Sequence, residues 1–118
     1  MLNTAKEFKK VVLITGYSDM RKGIDGLAGL IRLEYQLDPF EQEVIYLFCG
    51  HQAGKIKALV WEGDGFLLLS KRLEASGRFV WPRNRSEAIE LSHEQFEWLM
   101  KGLPVEPGIK PSTRCFSI

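Results

Sequence analysis

The chain carries short apolar runs of strand length, interrupted by one segment whose apolar residues have helical spacing. Residues 11–14 form a run that is apolar on both faces, which predicts a central strand. Apolar residues recur every three or four positions from Ile24 to Tyr35, which predicts an amphipathic helix that continues to about Leu37. Pro39 ends this helix, because a proline disfavours helical backbone in the residue before it.

Several further apolar runs follow this helix. The strongest turn signal among them is Gly63-Asp64-Gly65, which favours a hairpin between the two runs that flank it. Short strands joined by tight turns are typical of an antiparallel meander. The strands are predicted at residues 44–49, 56–62, 66–73 and 78–81, with another short strand within 86–91.

A second helix is predicted to begin after Ser92. Ser92 and Gln95 have the spacing of a capping box, and Gly102 stands where a glycine commonly ends a helix. The buried stripe of this helix is predicted at Phe96, Leu99 and Met100. Trp98 lies away from that stripe, which predicts an exposed anchor for a partner protein.

Together these elements predict one small α+β domain, with an antiparallel sheet of about four to six strands packed by two helices. The domain is expected at residues 11–103, between a flexible N-terminus at 1–10 and an extended or disordered tail at 104–118. A length of 118 residues suits a single domain. No apolar run approaches the roughly 18 residues of a membrane-spanning helix, and no apolar leader is visible, so a cytoplasmic protein without a membrane partner is expected.

Charge is nearly balanced over the whole chain but not along it. Sixteen Lys and Arg stand against 15 Asp and Glu, and the net charge of +1 excludes a generally basic coat for nucleic acid. Between positions 71 and 85, five basic residues stand against Glu74 alone, a local balance of +4. Residues 86–97 hold four glutamates and no Lys or Arg, a balance of −4. The two neighbouring stretches can therefore have different partners.

Basic residues that alternate with aromatic residues favour contact with a nucleic acid, because cations bind phosphates and rings stack on bases. Arg21 and Lys22 add two cations near the start of the first helix, where they suit a phosphate or a partner's carboxylate. The predicted DNA-binding residues are Arg21, Lys22, Lys71, Arg72, Arg78, Trp81, Arg83 and Arg85. In the alternative interpretation Phe79 and Trp81 belong to the core, the arginines solubilise the other face, and Arg21 pairs with an acidic neighbour.

Known catalytic motifs are absent from the sequence. It has no phosphate-binding loop, no His-Glu-x-x-His and no nucleophile elbow. His51 and His93 have no nucleophile nearby in sequence and are interpreted as solvated. Asp19, Asp25 and Asp64 leave a metal-dependent nuclease open as a weaker alternative, although a helix cap and a turn already explain Asp19 and Asp64. We therefore predict no catalytic residue, no metal ligand, no cofactor and no enzyme activity.

Five segments in a fixed order carry a resemblance to a known family. They are residues 19–27 (DMRKGIDGL), 61–66 (WEGDGF), 71–74 (KRLE), 77–82 (GRFVWP) and 91–99 (LSHEQFEWL). Over roughly residues 11–103 the chain closely resembles the TnpB-type accessory protein, the product of the second open reading frame, of the sixty-six group of bacterial insertion sequences. In the loop 50–55, however, it lacks the basic or aromatic-rich composition of most members, which argues against DNA binding by that loop.

The resemblance implies a bacterial protein encoded beside a separate, larger transposase and needed for efficient transposition. The family has no accepted catalytic residues, which agrees with the absence of catalytic motifs. The resulting hypothesis is a non-enzymatic accessory protein that contacts transposon-end DNA, the transposase encoded by the same element, or both. The alternative is a protein-interaction module with no direct DNA contact, in which Glu94, Glu97 and Trp98 bind the transposase or a second copy in a homo-oligomer.

Overall fold

The apolar runs form five strands of one sheet in the computed structural model, which describes residues 8–51, 54–74, 77–83 and 86–105. In chain order the elements are β1 (Lys10–Ile14), α1 (Ile24–Leu33), β2 (Val44–Cys49), β3 (Lys55–Trp61), β4 (Phe66–Arg72), β5 (Ala88–Leu91) and α2 (His93–Met100). The strands are ordered β4-β3-β2-β1-β5. The small α+β domain with two helices is therefore confirmed.

The sheet is mixed, which corrects the expectation of an antiparallel sheet. Strands β2, β3 and β4 form the predicted antiparallel meander, and β5 pairs antiparallel with β1. Strands β1 and β2 run parallel, with Val11 opposite Ile45 and Leu13 opposite Leu47. Parallel neighbours need a long crossover connection, and the segment that contains α1 supplies it. Apolar periodicity predicts where strands lie but carries no information on their direction.

The segment at residues 77–83 is not a strand, which corrects the strand predicted at 78–81. It crosses one face of the sheet and buries the side chains of Phe79 and Trp81. The indole Nε1–H of Trp81 donates to the backbone carbonyl of Ile14 over 2.9 Å. The alternation of Phe79, Val80 and Trp81 between inside and outside is thus real, because an extended segment alternates its side chains whether or not it pairs with a neighbour.

Each face of the sheet has its own apolar core. On one face α1 contributes Leu27 and Ile31, which pack with Tyr46 and Phe48 of β2. On the other face the segment 77–83 and α2 cover the sheet. The buried residues of that second core are Phe8, Val11, Leu13, Ile45, Leu47, Cys49, Ile56, Ala58, Val60, Phe79, Trp81, Leu91, Phe96, Leu99 and Val105.

The two ends of the predicted domain reach further than expected. Phe8 and Val105 are buried in the core, beyond the predicted limits of 11 and 103. The Gln95 side-chain amide also donates to the Val105 carbonyl over 3.0 Å. The rest of the predicted N-terminus and tail, residues 1–7 and 106–118, lies outside the described residues.

The helices differ in how closely they follow the predictions. Helix α1 ends at Leu33 rather than near Leu37, and Gln36 adopts a positive φ of 56° beyond it. Helix α2 has the predicted capping box, with the Gln95 N–H donating to the Ser92 hydroxyl over 3.0 Å. Gly102 has a φ of 81°, which glycine adopts at little cost where a helix ends. Neither described helix is long and apolar enough to cross a membrane.

Candidate nucleic-acid interface

Basic residues gather at one end of the sheet, which we call the basic end. The parallel strands β1 and β2 both finish there, and Lys55, which begins β3, lies opposite Arg72, which ends β4. The loop that follows β1 reaches the same place, because the Ser18 N–H donates to the Cys49 carbonyl over 2.9 Å. The cations at the basic end are Arg21, Lys22, Lys55, Lys57, Lys71, Arg72 and Arg83.

The basic end has an excess of positive charge within the described residues. Its acidic side chains are Asp19, Asp25, Glu74 and Glu87, so seven cations less four anions leave three positive charges. The opposite end of the sheet carries Glu41, Glu43, Glu62 and Asp64, with Lys9 and Lys10 nearby. We call it the acidic end. The small net charge of the chain therefore conceals a separation of charge along the strands.

Arg21 forms a two-point ion pair with Asp19 in the loop before α1. Its Nε and Nη2 groups donate to the two carboxylate oxygens, each over 3.0 Å. The hydrogen bonds from Arg21 lower the pKa of Asp19 to about 2, so the carboxylate stays charged until the pH falls to that region. This ion pair confirms the alternative prediction that Arg21 has an acidic neighbour. The Arg21 side chain nevertheless remains 92% exposed and projects beyond the loop.

Lys57, on strand β3, anchors the same loop before α1. Its ammonium group donates to the backbone carbonyl of Met20 over 2.7 Å and to that of Lys22 over 3.1 Å. An ammonium group has three donors, and two of them here fix the backbone that carries Arg21 and Lys22. Lys57 therefore positions the two cations.

Tyr17, His51 and Arg83 form a stack at the basic end. The rings of Tyr17 and His51 are stacked with centroids 3.9 Å apart, and the Arg83 guanidinium carbon lies 4.5 Å from the Tyr17 centroid. Arg83 also donates to the Gly16 carbonyl over 2.7 Å, which anchors the stack on the loop after β1. Tyr17 remains 53% exposed, so an aromatic surface stands beside the cations.

An open hollow of about 610 Å³ lies between these groups. Arg21 and Lys55 supply cations to its lining, and Tyr17 and His51 supply rings. The buried hydroxyl of Ser18, another lining residue, has no hydrogen-bond partner within the described residues. Cations and rings can together bind a phosphate and the sugar or base attached to it.

The structure places five of the eight predicted DNA-binding residues at the basic end, namely Arg21, Lys22, Lys71, Arg72 and Arg83. Lys71 lies opposite Ile56, which packs in the second core, so its side chain is on the other face of the sheet from that of Arg72. Arg78 is exposed, but its backbone lies beside Gly102 on the α2 side of the sheet. The prediction that Trp81 contacts DNA is corrected, since the residue is 5% exposed and its ring has no free face on which a base could stack. Arg85 lies outside the described residues.

Four residues of the basic end were missed by sequence reasoning. The sequence pattern indicates a solvated His51, argues against DNA binding by the loop 50–55 that contains Lys55, and assigns no role to Tyr17 or Lys57. The one available signal was that Lys55 and Lys57 alternate with apolar residues at the start of a strand, which places both on the same side. Their approach to the loop after β1 depends on the parallel pairing of β1 and β2.

The three aspartates considered as metal ligands do not converge. Asp19 lies at the basic end in the ion pair with Arg21, whereas Asp64 lies in the β3–β4 turn at the acidic end. Among the described residues, no group of three or more His, Cys, Asp or Glu side chains is placed to hold a metal ion.

The acidic stretch predicted for partner binding lies on α2. Glu94 and Glu97 are exposed and three residues apart, which places them on one side of the helix. Trp98 is half-buried rather than fully exposed, which corrects the expectation of a free anchor. Its neighbours Phe96 and Leu99 face the core, as predicted.

Comparisons with known proteins identify a family and two relatives of this chain. A family model described as "IS66 Orf2 like protein" matches residues 9–108, nearly the whole of the described domain. Two proteins of Sinorhizobium fredii (strain NBRC 101917 / NGR234), the uncharacterized proteins y4hO and y4jC, are 34% and 31% identical over 94 residues. Each alignment covers 80% of this chain and 80% or 79% of the relative. No solved structure matches the chain. The chain belongs to the IS66 Orf2-like family of insertion-sequence proteins.

Proposed function

We propose that the protein is a non-enzymatic accessory factor in the transposition of a bacterial insertion sequence, and that its basic end binds transposon-end DNA. Family membership supports the role in transposition. The observation that carries the DNA contact is the convergence of cations from separate parts of the chain: the loop after β1, the start of β3, the end of β4 and the segment 77–83.

The exposed cations at the basic end do little for the stability of the fold. Within the described residues the Arg21 side chain is bound only to its near neighbour Asp19, and Arg72 lies 3.7 Å from Glu74 in an exposed ion pair. Exposed pairs of this kind contribute about 0–1 kcal/mol to stability. A cluster of like charges instead lowers the stability of a small domain, because the charges repel one another. A bound phosphate backbone would relieve this repulsion.

The aromatic part of the interface is Tyr17 with His51, in place of Trp81. Tyr17 is exposed at the edge of the hollow, and the Arg83 guanidinium over its ring holds it there. A ring beside a cation suits a nucleotide, because the cation binds the phosphate while the ring contacts the sugar or base. The interface thus keeps the combination of cations and aromatic rings that the sequence suggested, with Tyr17 and His51 in place of Trp81.

Salt dependence tests the proposal. We expect the full chain to bind a fluorescent duplex of the element's terminal repeat with an affinity that falls as salt rises. When the logarithm of the association constant is plotted against the logarithm of salt concentration, each phosphate contact contributes about −0.9 to the slope. Four contacts therefore predict a slope near −3.6. Fluorescence anisotropy over a salt series measures this slope. The absence of any salt-sensitive complex at micromolar protein would contradict DNA binding.

The second candidate function is docking on the transposase through α2. Glu94 and Glu97 are exposed, form no ion pair with another described residue, and lie beside the half-buried Trp98. These features suit a basic partner surface. We expect Glu94→Lys with Glu97→Lys to reduce co-purification of the transposase while leaving the salt slope of DNA binding unchanged. Unchanged co-purification would remove α2 from the partner interface, and Glu94→Gln with Glu97→Gln is the milder control.

A further inference from the structure

Strand β4 stands at the edge of the sheet, and within the described residues its only strand neighbour is β3. It is seven residues long and contains three consecutive half-buried leucines, Leu67, Leu68 and Leu69. An edge strand of this length presents a row of unpaired backbone N–H and C=O groups that can pair with another strand.

The residues whose backbone groups face outward follow from the bonds to β3. Gly65 accepts from the Glu62 N–H over 2.8 Å, and the Leu73 N–H donates to Gly54 over 2.8 Å. In an antiparallel pair the hydrogen-bonded residues alternate with the others along each strand. Odd-numbered residues of β4 therefore bond to β3, and the even-numbered residues, Phe66 to Arg72, direct their N–H and C=O groups away from the sheet.

We propose that β4 pairs antiparallel with β4 of a second copy of this chain, about a two-fold axis at Leu68. In this register Leu68 lies opposite its own copy, Leu67 lies opposite Leu69, and Phe66 lies opposite Ser70. Residues that face each other share a side of the sheet, so the half-buried leucines cover one another. All outward backbone groups from Phe66 to Ser70 find partners.

Charge favours this register over the one in which the axis is shifted by one residue towards Arg72. The strand begins after the acidic turn that contains Asp64 and ends on the exposed cation Arg72, so its two ends are complementary under antiparallel pairing. With the axis at Leu68, Asp64 of each copy lies opposite Arg72 of the other. Moving the axis to Leu69 places Asp64 opposite Glu74, a repulsive pair, and sets Leu67 opposite Lys71.

The dimer has a consequence for the basic ends. A two-fold axis through paired edge strands joins the two sheets of five strands into one, and the strands of the two copies run in opposite directions. The basic ends then lie at opposite ends of the joined sheet. Arg72 is shared between the dimer contact and the basic end, whereas Arg21 and Lys55 lie outside the dimer contact.

The oligomeric state of the full chain tests the proposal. We expect light scattering after size exclusion to give twice the chain mass of 13.5 kDa at micromolar concentration. Ser70→Pro removes an outward N–H without touching a bond to β3, so it should give a folded monomer, while Ser70→Ala should remain a dimer. Circular dichroism confirms that both variants are folded. A monomeric wild-type chain, or a dimer that survives Ser70→Pro, would overturn the proposal.

Register is tested by charge exchange and by cross-linking. Asp64→Arg and Arg72→Asp should each weaken the dimer, and the double variant should restore it. In a Cys115→Ser background, Leu68→Cys should form a disulfide-linked dimer on oxidation, because Cα atoms of a hydrogen-bonded pair lie about 5.5 Å apart. Leu67→Cys should not, since its two copies are about 8 Å apart in this register. Cross-linking at 67 instead of 68, or no rescue by the double variant, would refute the register.

Discussion

Replacing Trp81 by alanine is expected to lower the free energy of unfolding by about 3–5 kcal/mol, a large share of the roughly 5–15 kcal/mol of a typical domain. The residue is 5% exposed, and its side chain packs from the segment 77–83 against the sheet. Its loss leaves a cavity and also leaves the carbonyl of Ile14 without its donor. Chemical denaturation followed by circular dichroism measures the change.

Two companion variants separate the causes of this loss. Trp81→Phe keeps most of the apolar volume but removes the indole N–H, and we expect it to cost about 1–3 kcal/mol. Trp98→Ala removes a ring that is only half-buried, so its cost should be clearly smaller than that of Trp81→Ala. If Trp81→Ala were as stable as the wild type yet failed to bind DNA, the core assignment would be wrong and base stacking by Trp81 would regain support.

Local features of this chain were predictable because they depend on neighbours in sequence. The capping box of Ser92 and Gln95 needs only two residues three apart, and both of its hydrogen bonds are present. The apolar run at 44–49 became a strand buried on both faces, because no polar side chain interrupts it. Family resemblance was equally accessible, since its motifs are contiguous.

Features that depend on strand direction and on distant contacts were not predictable. The parallel pairing of β1 with β2 decides that the loop after β1 meets the start of β3, yet no local pattern specifies it. Lys57 lies 37 residues from Met20, whose carbonyl it binds. The segment containing Trp81 has strand-like alternation, but its hydrogen bond to Ile14, 67 residues away, takes it across the sheet instead of into it.

Neutralising two cations of the basic end, in the double variant Arg21→Gln with Lys55→Gln, is expected to lower the affinity for DNA. Both residues line the hollow and neither bonds to a distant part of the fold in the described contacts. Release of counterions makes each phosphate contact worth about tenfold in affinity near 0.1 M salt. We therefore expect the association constant for the terminal repeat to fall about 50- to 100-fold, and the salt slope to become shallower by about 1.8.

The matched control is Lys9→Gln with Lys10→Gln, which removes the same total charge at the acidic end. Lys9 is exposed, and within the described part of the chain the Lys10 side chain makes only a surface ion pair with Glu41 at 3.3 Å, so stability should change by less than about 1 kcal/mol. If DNA binding depends on the position of the cations, this control should bind the duplex with an affinity within about twofold of wild type and with an unchanged salt slope. Equal weakening of DNA binding by both double variants would mean that net charge alone governs binding. This result would contradict the assignment of the basic end as the DNA interface.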